Sequence, residues 1–204
     1  MIDETGWWII ACFVLFLALL VTLPVLRHRQ WRNFALRRGG TAGSIFGQPS
    51  AEIQHRGRPV AVKSVGRDEL SGIVVTLTWP DQNLQLECRE NQWLSGNSRA
   101  SKKELEEVET GDAEFDEAYR LFGNEADEAN KFFGETTRRS FLRLYDVWTL
   151  RPTLSIENGE LRVYRPHSIW TCDGLTLMIE PLLEFYDVAL ANYSESDGHH
   201  ETAT

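Results

Sequence analysis

No basic side chain precedes the long apolar run of this chain. The first six residues, Met1-Ile2-Asp3-Glu4-Thr5-Gly6, carry two acids. A cleaved secretory signal begins with a basic segment and ends at a small-residue cleavage site. Here Arg27-His28-Arg29 follows the run instead, so the flanks favour an uncleaved anchor. Cysteine is scarce. Cys12, Cys88 and Cys172 show no spacing that suggests a disulfide framework or a zinc site, and lone thiols fit a reducing compartment. Positive charge is also in deficit. Lys and Arg number 21 against 30 Asp and Glu, a formal net charge of -9, which argues against binding to nucleic-acid phosphates. Phosphate-binding loops are missing, because Gly39, Gly40 and Gly43 lack the following lysine and the strand-to-helix setting. Around Asp112, Glu114, Asp116 and Glu117 there is no calcium-loop spacing with its mid-loop glycine and distal glutamate. These absences leave no cofactor and no metal to expect.

What is present is one uncharged stretch, residues 7–26. At about 1.5 Å per residue, roughly 20 residues span about 30 Å, the thickness of a bilayer's hydrocarbon core. Apolar side chains lie on every face, which a buried core helix of this length rarely shows. Pro24 falls in the last turn, where a kink is tolerated. Arg27, Arg29, Arg32, Arg37 and Arg38 crowd its C-terminal side only. Arginines near a membrane helix stay cytoplasmic, so the N-terminus is expected outside and the remainder inside. Trp7 and Trp8 are expected at the outer interface, and Trp31 near the inner one among arginines that meet anionic lipid head groups. Trp31, Phe34 and Ala35 predict either a short amphipathic helix on the membrane surface or a continuation of the anchor into water. Residues 39–44 predict a glycine-rich flexible joint, so that 27–44 is a basic juxtamembrane segment and linker.

From about residue 45 the pattern is that of a folded domain. Strands are predicted over 51–54 and 60–65 around a Gly57 turn, then 72–79, then a fourth through Leu84, Leu86 and Cys88. Together they suggest an antiparallel meander. Residues 102–109 read as an exposed helix or loop with a solvated acidic face. Residues 115–123 suggest a strand. Helix is expected over 125–148, broken near Gly134, with Thr136 a candidate cap for its second piece. Asn158-Gly159 between alternating arms predicts a type I′ hairpin. Its register sets Ile156 opposite Leu161 and Leu154 opposite Val163. Asp173 reads as the cap of a final helix to about residue 192, bearing Leu175, Met178, Ile179, Leu182, Leu183, Tyr186, Ala189 and Leu190. Residues 194–204 read as a disordered tail.

This order of features resembles a broad group of uncharacterised bacterial single-pass membrane-anchored proteins. The likeness runs over residues 30–192: Trp31 and Ala35 before a glycine pair, Gly57-Arg58-Pro59-Val60, Phe115-Asp116-Glu117-Ala118-Tyr119 before Gly123, and the hairpin with its flanking helices. It implies a bacterial inner-membrane protein and supplies no catalytic residue.

Chemistry is sparse. His55 lies in a turn beside Arg56 and Arg58. His167, Cys172 and Asp173 contain the residue types of a nucleophile set, without a glycine-flanked nucleophile turn. His199 and His200 lie in the tail, where nothing would fix them as metal ligands. The reading is an α+β protein: one N-terminal transmembrane helix over 7–26, then a mixed antiparallel-sheet and helix cytoplasmic domain over 45–193. It is expected to be non-enzymatic and to meet an unknown protein partner at the inner membrane. The alternatives are a tethered hydrolase-like enzyme, with its site near residues 167–173, or a small-ligand domain. Convergence of His55, His167, Cys172 and a carboxylate in one pocket would favour the enzyme.

Overall fold

The first helix does not stop at the end of the apolar run. In the computed structural model, which describes residues 4–45, 47–66, 71–91, 105–167, 169 and 171–197, α1 extends from Glu4 to Arg37 with Pro24 inside it. One helix here is long and apolar enough to cross a membrane. Along it the environment changes. Trp7, Trp8, Phe13, Leu20 and Leu26 are exposed, whereas Trp31, Phe34 and Ala35 are fully buried. Their spacing of three and four sets them on one face, and α1 packs through this end on the first two strands and the last helix of the domain. Trp31 is therefore a core residue rather than an interfacial one. The helix does continue, but into the protein and not into water.

The expected joint is a stop and a strand. Gly39, at φ +66°, ends α1. The amide of Gly40 donates to Ala35 O at 2.9 Å and that of Gly39 to Leu36 O at 3.2 Å, the paired bonds of a Schellman cap. β1 (Thr41–Ile45) follows at once and pairs antiparallel with β2 (Gln48–His55). Gly40 has no room for a side chain: a Cβ there would meet Glu52 O at 2.0 Å. Residues 41–45 are thus hydrogen-bonded strand with Gly40 closely approached, and the domain begins within α1 rather than near residue 45.

β3 (Arg58–Val65) and β4 (Gly72–Thr78) extend the meander, with the β2–β3 turn at Arg56 and Gly57, both at positive φ. The expected fourth neighbour does not follow. β5 (Leu86–Glu90) pairs instead with β8 (Thr153–Glu157) and β7 (Tyr119–Gly123). β9 (Glu160–Pro166) lies against β4 in seven register pairs from Gly72↔Pro166 to Thr78↔Glu160. β6 (Glu106–Val108) forms the far edge. The sheet order is β1-β2-β3-β4-β9-β8-β5-β7-β6. The Asn-Gly hairpin has the predicted register, Leu154↔Val163 and Ile156↔Leu161, with Asn158 and Gly159 both at positive φ. Its apolar face continues across to Val75 and Leu77, which is why it enters the sheet centre and displaces β5.

Among the described residues, four shorter helices complete the fold. Residues 115–123 divide into α2 (Ala113–Ala118) and β7. α3 (Ala126–Phe132) and α4 (Glu135–Trp148) break at Gly134, which occupies the N-cap of α4 in place of Thr136. α5 (Cys172–Asp197) carries the predicted stripe, buried from Leu175 to Ala189. Thr171, not Asp173, caps it: its Oγ1 accepts from the Gly174 amide at 3.1 Å. The helix runs on through residues 194–197, placed in the tail on sequence grounds; 198–204, like 92–104, lie outside the described residues. Trp79 holds the core between the layers, edge-on to Phe132, Tyr186 and Tyr193, geometries that aromatic quadrupoles favour.

Candidate functional site

The basic segment after the apolar run divides by role. Arg27 donates to Ser64 Oγ at 2.6 Å, tying α1 to β3. Arg37 pairs with Asp173 at 3.1 Å and Arg38 with Glu180 at 2.8 Å. Both pairs tie the C-terminal end of α1 and the residue after it to the final helix; the Arg37 pair is largely exposed and adds little stability. Arg29 and Arg32 point to solvent. The end of the sheet that carries the β1–β2 turn faces the helix near residues 19–28. Between them opens a cleft of about 290 Å³, with Leu20, Leu23 and Pro24 on one side and Ser44 and Pro49 on the other.

The residues considered for catalysis do not meet. At the other end of β2, His55 Nε2 lies 3.0 Å from both carboxylate oxygens of Asp187 on α5, and Arg56 reaches the same carboxylate at 3.1 Å. Arg58 donates to the Tyr186 hydroxyl at 3.0 Å, which donates in turn to Thr78 O. His167 lies beyond the opposite end of β9, in a left-handed conformation, φ +67°. Cys172 is buried, and its amide donates to Gln30 Oε1 at 3.1 Å. Asp173 faces Arg37 instead. A Cys-His-Asp set is not assembled, nor do His55 and His167 share a pocket. Among the described residues no group of three His, Cys, Asp or Glu could hold a metal.

The acidic cluster resolves into two kinds of residue. Asp112 accepts from the Phe115 amide at 3.3 Å and pairs with Arg138 at 3.1 Å. The Phe115 amide, with help from Arg138, holds its carboxyl below the usual carboxylate range. Asp116 accepts from Thr110 Oγ1 at 2.8 Å and from the Gly111 amide at 3.1 Å. These two fix the entry to α2. Glu114 and Glu117 project into a pocket with Asp146, Tyr145, Arg151 and Tyr119. Sequence reasoning missed this grouping, because its members come from α2, β7, α4 and the approach to β8. It also missed Tyr193, whose hydroxyl lies 2.7 Å from Asp81 and 2.8 Å from Glu128. Burial first, and then the two carboxylates that share its single O–H, push the phenol's pKa up.

No family model matches this chain, and no curated protein sequence matches it. A solved structure does. The chain is similar in fold to the crystal structure of the mycobacterial trehalose monomycolate transport factor A, TtfA. The TM-score is 0.58 at 12% identity, covering 81% of this chain and 95% of that one. At that identity the likeness shows a shared fold and assigns no residue a role.

Proposed function

We propose that the chain is a single-pass protein of a bacterial inner membrane, anchored by residues 7–26 with its N-terminus outside. The domain then lies on the cytoplasmic face and meets a protein partner there without catalysing a reaction. The observation that carries this reading is the dual character of α1. Its first part presents apolar side chains outward, and its last part is built into the domain core through Trp31, Phe34 and Ala35. A helix so shared couples the domain rigidly to the anchor. With Arg27 at the end of the apolar run and bonded to Ser64, the adjoining end of the sheet sits at the head groups. Trp7 and Trp8 are then at the outer interface, and Arg29 and Arg32 face anionic lipid. The fold likeness to a transport factor is compatible with a membrane-associated, non-enzymatic role. So is the separation of His55 from His167 and Cys172.

The test is topological. A fluorescent protein fused after Thr204 should fold and fluoresce in the membrane fraction, and alkaline phosphatase at the same site should stay inactive. Periplasmic phosphatase activity would overturn the orientation; release of the protein by alkaline carbonate would overturn the anchor. Photocrosslinking residues placed across the exposed surface should capture a protein partner in cells, and failure at every face would remove the interaction reading.

A further inference from the structure

A pocket of about 400 Å³ opens where α2, β7 and the end of α4 meet. The exposed carboxylates Glu114, Glu117 and Asp146 line it together with Tyr145, Arg151 and the buried Tyr119. Two independent features distinguish it from an ordinary acidic surface. The three rim carboxylates are exposed, and no cation among the described residues pairs with them. The one guanidinium present is already engaged: Arg151 pairs with Glu90 at 3.3 Å, donates to Ala118 O at 3.3 Å and lies 5.3 Å from the Tyr145 ring centroid. The second feature is Tyr119. It is 2% exposed, and its hydroxyl has no hydrogen-bond partner. Buried hydroxyls are nearly always satisfied, so an orphan beside a pocket points to a missing group.

We infer that this pocket receives a basic side chain, arginine in the first instance, presented by a protein partner. The inference rests on the reading of the domain as an interaction module and names the chemistry of its partner. A guanidinium has five donors and no acceptor. It can satisfy the rim carboxylates with some and the Tyr119 oxygen with another. Burial keeps that phenol protonated, and a neutral phenol oxygen still accepts. The partner's chemistry follows from location as well. Cytoplasmic loops of membrane proteins are enriched in lysine and arginine close to the bilayer. An acidic pocket on a domain held at that face is complementary to such a loop. A bare metal ion fits less well, since among the described residues no three His, Cys, Asp or Glu, these carboxylates included, are placed to hold one ion.

The full chain in nanodiscs of neutral lipid provides the test. The probe is a short fluorescent peptide with two arginines, compared with the same peptide carrying citrulline, which keeps the shape and removes the charge. Wild type should bind the arginine peptide in a salt-dependent manner and the citrulline peptide far more weakly. Removing two rim charges, Glu117→Gln with Asp146→Asn, should weaken binding by roughly three- to tenfold, the scale of two exposed ion pairs. Tyr119→Phe should also weaken it without lowering the melting temperature, because a merely structural hydroxyl would cost stability when removed. Asp127→Asn with Glu184→Gln removes two exposed carboxylates elsewhere and should leave binding unchanged. Equal weakening by that control pair, equal binding of the citrulline peptide, or unchanged binding by Tyr119→Phe would each overturn the pocket. A partner still captured by crosslinkers at other faces would then leave the interaction reading standing without this site.

Discussion

Trp31 offers the sharpest test of how the apolar part of α1 and the domain are joined. A buried tryptophan removes about 150–250 Å² from water. At about 25 cal/mol per Å² that is worth roughly 4–6 kcal/mol before opposing terms. Its Nε1 is buried without a partner, which offsets part of the gain. Trp31→Ala is therefore expected to cost about 3–5 kcal/mol, the usual range for emptying a core tryptophan site. For a chain of this size each kcal/mol moves the melting temperature by about 2–4 °C, so the drop should be roughly 6–20 °C. Trp31→Phe keeps an aromatic ring and removes the unpaired N–H, and should lose clearly less. The assay is thermal unfolding of the full chain in detergent, followed by near-ultraviolet circular dichroism and paired with a membrane-extraction assay. Trp31→Ala should leave extraction unchanged while lowering the melting temperature. An unchanged melting temperature with easier extraction would refute the packing argument and return Trp31 to the lipid interface.

Two further outcomes follow from the same geometry. Gly40→Ala should destabilise the domain severely, because its Cβ would meet Glu52 O at 2.0 Å and Ile53 Cα at 2.9 Å, backbone that cannot rotate away. Increased amide exchange in β1 and β2 would register it, and a normal exchange pattern would contradict the close approach. Asp112 has a depressed folded-state pKa, caused first by the Phe115 amide. Its contribution is complete above the unfolded carboxylate value of about 3.9 and is lost as pH falls through the lower folded value. Asp112→Ala should cost about 1 kcal/mol near neutral pH, as a lost helix cap does. The gap from wild type should close in acid, and a gap that widens in acid would refute the assignment.

The local elements were legible from residue patterns. The Asn158-Gly159 hairpin, the Gly57 turn, the break at Gly134 and the apolar stripe of α5 rest on short-range rules of turn geometry and periodicity. Where the reading failed, the signal was ambiguous in kind. Residues 39–44 have linker composition, yet Gly40 is there because β2 passes too close for a side chain. Asp173 looked like a cap, but Thr171, two residues earlier, makes the bond. The meander was carried one strand too far, since nothing in residues 84–88 reveals that β9 will occupy the edge of β4. The pocket at Tyr119 was invisible for a similar reason: residues far apart in the chain form it.

Composition and periodicity alone show an uncharged stretch long enough for a helix of about 30 Å, an acidic α+β pattern after it, and no familiar catalytic motif in either. That the apolar stretch and the domain share one helix emerged from packing. Trp31, Phe34 and Ala35 form the same apolar stripe whether a bilayer or a sheet receives it, because burial drives the stripe inward without naming its cover. The distinction was made by β1 and β2, folding back onto that face.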